Sequence, residues 1–245
     1  MEKYLAETAM LNYSSSSIQD LIHVRKWHGM DQYEKIESIY DFVQNEILFG
    51  YNHSDLLTAE QVLADGYGQC NTKATLLMAL LRGVGVPCRV HGFEVSKHFQ
   101  RGATNALISA LAPSKIVHTW AEVYYNGNWL ALEGVITDKC YFAAVKEKYK
   151  NERNEFYKYA IATNDFENLS IEWQGNNTYV QSAAVVTDYG VFESPDAFFK
   201  DHSQHWSKVK NYLYVHLGRK MMNQNVSNIR KQYVSKCSRW NNGDN

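Results

Sequence analysis

Several signals that would settle a function early are missing from this chain. No run of about 18 apolar residues occurs, so the sequence offers no bilayer-spanning helix and no membrane is expected. Lysine and arginine number 25 against 26 aspartate and glutamate, a net charge of -1 that gives no argument for nucleic acid or an anionic membrane as partner. The opening stretch MEKYLAETAMLNYSSSSIQD lacks a basic segment followed by an apolar core, so it does not read as a secretion signal, and a cytoplasmic location is the default expectation. Only four cysteines are present, Cys70, Cys88, Cys140 and Cys237. They could make two disulfides in an oxidising compartment, but reduced thiols fit an intracellular chain better. No Gly-rich phosphate loop, dinucleotide fingerprint, internal repeat or low-complexity linker is found. Cys88-x-x-His91 and His202-x-x-His205 are each half a metal site, and on a strand residues three apart point to opposite faces, so no metal and no cofactor is expected.

What is present suits a compact, well-packed domain. At 245 residues and 45% apolar, the chain can bury a substantial core. Glu34 to Ile47 places Ile36, Ile39, Tyr40, Phe42, Val43 and Ile47 mostly on one helical face. Ser17 is a candidate cap for an earlier helix beginning near Ile18. Thr58-Ala-Glu-Gln61 has the form of a capping box, which predicts a short helix over about Ala59 to Ala64, ending near Gly66. Gly66 and Gly68 then turn the chain. From Asn71 onward Ala74, Leu77, Met78, Leu80 and Leu81 recur at helical spacing, with Gly83 as the expected left-handed terminator.

Cys70 therefore stands at the mouth of a helix, where unpaired backbone N–H groups and the positive end of the dipole favour a thiolate. Further on, Ile116-Val-His118-Thr-Trp120-Ala-Glu122-Val-Tyr124-Tyr125 alternates as a strand does. Asn126-Gly127 signals a hairpin, and Trp129-Leu-Ala-Leu-Glu133 reads as the returning strand. Pairing Tyr124 and Tyr125 with Asn128 and Trp129 brings His118 and Glu133 close in register. Cys70, His118 and Glu133 then have the logic of nucleophile, base and orienting acid. Each alone has a plainer reading: a buried core thiol, a satisfied strand histidine, a strand-end charge.

The blocks G-x-G-Q-C at a helix start, H-T-W-A-E-V on a strand and W-L-A-L-E on the next resemble the transglutaminase-like superfamily of papain-fold cysteine enzymes over about Glu37 to Asp138. The resemblance implies an α+β fold, with the catalytic helix packed on an antiparallel sheet, and a Cys-His-Asp triad. Cys70 matches the nucleophile and His118 the base. Glu133 holds the position usual for aspartate, which is a departure, and Asp138 is the alternative third member. Gln69 resembles the residue before the nucleophile and is a candidate donor, though a turn role is equally open. Tyr51 is a candidate second oxyanion donor. Trp120, also a candidate at the substrate site, and Trp129 read as core residues flanking it. Animal members of the family use calcium, but no acidic D-x-D-x-D run is found here.

Around this centre, Pro87 to Val95 reads as a strand. Residues 96–115 form a long connection, with a possible helical turn over Asn105 to Leu111, read as a substrate lid. Lys146 to Tyr159 is expected to be helical. Tyr179 to Val191 is expected as a strand or strand pair, and Ser194-Pro195-Asp196 opens a last helical region reaching about Ser238. Residues 201–245 carry eight Lys/Arg against two Asp/Glu, which fits a helical tail folded across an acidic face. The expected division is a catalytic domain over 1–192 with a C-terminal helical extension over 193–245 packed on it. The expected function is hydrolysis of a peptide or other amide bond through an acyl-thioester on Cys70. Alternatives are a protein-glutamine transamidase with the same triad and a non-catalytic peptide-binding module. The substrate and the oligomeric state are left open.

Overall fold

The computed structural model describes residues 1–104, 113–203 and 208–240. In chain order its main elements are α1 (Ser16–Val24), α2 (Gln32–Asn45), β1 (Leu48–Phe49), α3 (Ala59–Asp65), β2 (Tyr67–Gly68), α4 (Cys70–Gly83) and β3 (Cys88–Ser96). They continue as β4 (Lys115–Tyr125), β5 (Asn128–Ala131), α5 (Lys139–Lys148), β6 (Phe156–Lys158), β7 (Ile161–Thr163) and β8 (Val185–Phe192). Three helices close the described chain: α6 (Pro195–Asp201), α7 (Lys208–Leu213) and α8 (Arg219–Trp240), with a π-helical turn, Tyr214–Gly218, between the last two. The fold class is α+β.

The helix α4 is the axis of the molecule. Every residue from Asn71 to Arg82 is buried, polar ones included, because α1, α2 and α3 cover one side of it and the β3–β4 sheet the other. A helix enclosed all round has no solvent face to keep polar. Arg82 is buried because its guanidinium donates to the carbonyls of Ala6, Cys88 and Glu193, fastening the N-terminal segment to the core. The helix does not end on a left-handed Gly83. That conformation falls at Gly85 (φ 81°), while Gly83 is small because a Cβ there would lie 2.8 Å from Ile22 Cδ1.

Several local expectations hold. Thr58 and Gln61 form the capping box, and α3 ends on a left-handed Gly66 (φ 68°). Asn126 and Gly127 both take positive φ (47° and 82°), as a two-residue hairpin requires, and Tyr124 pairs with Trp129 and Tyr125 with Asn128. The α2 helix starts two residues earlier than Glu34, on an Asp31–Glu34 capping box, and α1 is preceded by Ser15 rather than Ser17.

The four-stranded antiparallel sheet has the order β5-β4-β3-β8. Gly92 in β3 lets Phe198 of α6 lie on the sheet, since a Cβ there would sit 2.2 Å from the ring. Two expectations fail nearby. The segment 146–159 is helical only to Lys148; Phe156 turns inward to stack on Phe166 (centroids 4.0 Å apart), and β6 and β7 form a hairpin about the left-handed Tyr159 and Ala160. Burial of one aromatic ring outweighs the helical propensity of its charged neighbours. Tyr179 to Ala184 is not strand either; pairing begins only at Val185. Between β3 and β4, Lys97–Gln100 is a 3-10 turn and Arg101 bridges Thr104. The helical turn expected over 105–111 lies outside the described residues, as does that part of the lid from 105 to 112.

Candidate active site

Cys70 is the first residue of α4, half-buried. The chain reaches it through β2, which pairs with β1, and through Gly68, where a Cβ would come within 2.8 Å of Thr72 Oγ1. Asn52 locks this entrance. It is fully buried, and its backbone N–H donates to Gln69 Oε1 (2.8 Å). Its side-chain amide donates to Asp65 Oδ2 and to the Tyr67 carbonyl, and accepts from Thr72 Oγ1 (2.6 Å).

His118 lies on β4 with no exposed surface. Asn71, the residue after Cys70, ties the helix to both neighbours of His118: its Nδ2 donates to the Val117 carbonyl (3.1 Å) and its Oδ1 accepts from Thr119 Oγ1 (3.0 Å). Cysteine and histidine are thus registered to each other by a residue the sequence analysis passed over. A polar residue inside the expected helix face was the only signal for it.

The imidazole Nε2 lies 2.9 Å from Glu133 Oε1. Glu133 is also fully buried, and its other oxygen accepts three consecutive backbone N–H groups, from Val180 (2.9 Å), Gln181 (3.1 Å) and Ser182 (3.1 Å). Successive amides converging on one oxygen make an anion cradle. Glu133 does not stand on the returning strand. The strand ends at Ala131, and Glu133 opens a 3-10 turn, Glu133–Ile136, after Leu132 has bridged Thr178. Leaving the ladder aims its carboxylate between the histidine and the cradle.

The other imidazole nitrogen, Nδ1, has no partner within hydrogen-bonding geometry, although the Cys70 thiol is close enough to favour the charged ring. Burial by itself disfavours the imidazolium. Cys70 and Glu133 outweigh it and raise the His118 pKa to about 10.

Asp138 is turned to other work. It caps α5 through Tyr141 N–H (2.8 Å), accepts the Phe49 N–H (3.0 Å) and pairs with Arg230 of α8 at 2.6 Å. Burial pushes its carboxyl up, but the Arg230 guanidinium and these donors hold it below the ordinary aspartate value. Lys73, fully buried, donates to the Gln44 and Ile136 carbonyls (3.1 and 3.2 Å). Burial lowers its pKa to about 7, against the opposing pull of Asp138.

A cavity of about 390 Å³ opens over Cys70 and His118. Tyr51 lines it, buried, with a hydroxyl that has no partner. Burial and the nearby Cys70 push its phenol up. Its backbone is gripped by one side chain, Asn223 of α8, which accepts from Tyr51 N–H (2.7 Å) and donates to the Tyr51 carbonyl (3.1 Å). Gln69 also lines the cavity, but its Oε1 holds Asn52 and its Nε2 donates to Asp55 Oδ1 (3.0 Å), so the amide braces the loop. Trp120 stands elsewhere: it stacks on Phe93 (3.9 Å), meets Tyr179 (5.8 Å) and sets its edge to His118 (5.9 Å), outside the cavity lining. It shields the histidine and is not placed to contact a bound molecule.

Cys88 and His91 diverge, as the strand spacing requires: Cys88 is buried against the Met78 carbonyl, and His91 bridges Glu122 and Asp188. The partner residues 204–207, which include His205, lie outside the described residues.

A thiol, an imidazole and a carboxylate in this order can pass a proton to and from a reacting group bound in the cavity. Among known families, the model of the transglutaminase-like superfamily matches residues 25–134. No curated protein matches the chain. Among solved structures, one described as a "putative cysteine protease" from Cytophaga hutchinsonii aligns with 16% identity and a TM-score of 0.43. The alignment covers 79% of this chain and 47% of that one, so this chain spans about half its length. Residues 25–134 hold Cys70, His118 and Glu133, but neither the cradle at 180–182 nor the C-terminal helices, and over this segment the chain is similar to the transglutaminase-like superfamily.

Proposed function

We propose that this protein is a cysteine enzyme that cleaves an amide bond through an acyl-thioester on Cys70. One observation carries the reading: His118 is wedged between the Cys70 thiol and a Glu133 carboxylate that is itself fixed by three backbone amides at the floor of a cavity. A structural histidine does not need so fixed a carboxylate, nor a nitrogen left open toward a thiol. His118 takes the Cys70 proton, and the thiolate attacks the carbonyl carbon. The oxygen gathers charge against the Cys70 backbone N–H at the helix start, with the Tyr51 hydroxyl as second donor. The C–N bond breaks as His118 returns the proton to the leaving amine. Water then attacks the thioester, giving up its proton to His118, and releases the acid and the free thiol.

The test is a mixed peptide library incubated with wild type and with Cys70→Ala, the products read by mass spectrometry with and without an added primary amine. Hydrolysed fragments formed by wild type alone are the expected result. Amine adducts in place of acids would make it a transamidase. Unchanged peptides with wild type, in a library that binds equally to Cys70→Ala, would leave a binding module.

A further inference from the structure

The cavity over Cys70 is not built by the transglutaminase-like segment alone. Phe199 of α6, Tyr214 and Val215 of the π-helical turn, and Met222 of α8 form a wall of it, all beyond residue 134. The π turn falls where Tyr214 and Val215 reach the cavity. Single π turns inside helices are frequent at functional sites. The turn is anchored: Tyr214 Oη donates to the Asn52 carbonyl (3.1 Å), and Arg219 donates to Tyr67 Oη (2.8 Å), fixing the wall to the loop that enters α4.

Phe99 and Ile116 add further apolar lining. Among the described residues, no lysine or arginine lines the cavity. Its one carboxylate, Asp55, is occupied by the Gln69 amide, and burial raises its pKa. The buried polar atoms of the lining without a partner are the Tyr51 hydroxyl, His118 Nδ1 and Gln181 Oε1, and the Cys70 thiol stands with them. An apolar enclosure with a few converging polar atoms selects an uncharged, bulky group that carries one polar centre.

From this we infer that the C-terminal helices are the specificity element, and that Phe199, Tyr214, Val215 and Met222 seat a large apolar group next to the scissile carbonyl. The inference rests on the proposed function and adds the class of substrate: peptides or acyl amides with a leucine- or phenylalanine-like side chain at the reacting carbonyl. A lysine- or glutamate-like group is disfavoured, because the described lining has no lysine or arginine to pair with an acid, Asp55 is held by Gln69, and the His118 charge is engaged by Cys70 and Glu133.

The experiment compares peptidyl electrophiles bearing Leu, Phe, Gly, Lys or Glu at that position, reading the rate of Cys70 labelling by intact mass, with iodoacetamide as a small neutral reference. The same side chains, as peptide amides, are titrated against Cys70→Ala for binding. The expected result is a preference of about 10- to 100-fold for Leu and Phe over the other three, the factor that burying such a side chain supplies. Val215→Glu, checked for folding by thermal melt, loses that preference. Fast iodoacetamide labelling with no apolar preference in either assay overturns the inference and leaves the proposed function standing. A Cys70 inert to every reagent defeats the proposed function, and the titrations of Cys70→Ala then decide the apolar seat separately.

Discussion

One methylene separates Glu133 from the aspartate that the resemblance implies at this position, and the structure gives that methylene a use. The carboxylate spans from His118 Nε2 to three amides contributed by residues 180–182. Shortening it must release one end. Glu133→Asp should lower kcat/KM by roughly tenfold or more while the protein stays folded, and Glu133→Gln, which no longer stabilises a charged imidazole, by about 1,000-fold or more. Full activity in Glu133→Asp would show that the cradle has no part in orienting His118. Tyr51 gives a prediction of opposite sign for stability and turnover. Its buried hydroxyl is unsatisfied, a state that costs about 1–3 kcal/mol. Tyr51→Phe should raise the melting temperature and slow kcat by on the order of tenfold or more; a stabilised variant with unaltered kcat would remove Tyr51 from the oxyanion site.

The charge on His118 is also a stability term. Its folded pKa is raised to about 10 from an unfolded value near 6.5, so its contribution is complete below the unfolded value and is lost as pH climbs through the folded one. The stability gap between wild type and His118→Gln in urea titrations should therefore narrow from pH 7 to pH 10. Lys73, whose lowered pKa works in the opposite direction over the same range, is common to both proteins and drops out of the difference. A gap that stays flat from pH 7 to pH 10 would mean that the ring is neutral in the folded protein.

Among the elements, the ones legible in the sequence were those whose signals are local. The Thr58 capping box, the Asn126-Gly127 hairpin with its register and the helix beginning at Cys70 each depend on a few adjacent residues. The ones missed depend on distant partners. The 146–159 stretch becomes a hairpin because Phe156 meets Phe166, and residues 180–182 form a cradle because Glu133 lies beneath them; no spacing within either segment encodes those meetings. The helix α8 makes the same point through Arg230. Its guanidinium holds Asp138 and the Phe49 carbonyl, joining the C-terminal helix to α5 and to the strand before Tyr51. Arg230→Ala strands a buried carboxylate and should cost about 3–5 kcal/mol in chemical unfolding. A loss under 1 kcal/mol would place the pair among surface bridges of little weight.

At the scale of the whole molecule, the C-terminal helices carry ties into the site as well as a share of its wall. Asn223 grips Tyr51, Asn225 holds the Gly102 and Ala103 carbonyls, and Arg230 closes on Asp138. Two of the basic residues that give the C-terminal region its charge, Arg219 and Arg230, are used in this docking. The sequence could show the amphipathic character and the charge of these helices, but where they dock is fixed by hydrogen bonds to backbone atoms and side chains far away in the chain, which leave no local pattern. With so many ties, heat should unfold the chain in one transition, with near-UV and far-UV circular dichroism coincident; two separated transitions would make the C-terminal helices an independent unit.

The central claim is that His118 activates Cys70. The direct test is the rate of iodoacetamide alkylation of each cysteine across pH 4 to 9 in wild type and His118→Ala, resolved by peptide mass spectrometry. Half-buried Cys140 serves as the internal reference, and Cys88, whose thiol burial pushes up to about 11, as the protected one. The expected result is that Cys70 reacts faster than Cys140 well below pH 8 and loses that lead without His118. Equal rates at Cys70 and Cys140 at every pH, unaltered by the substitution, would contradict it.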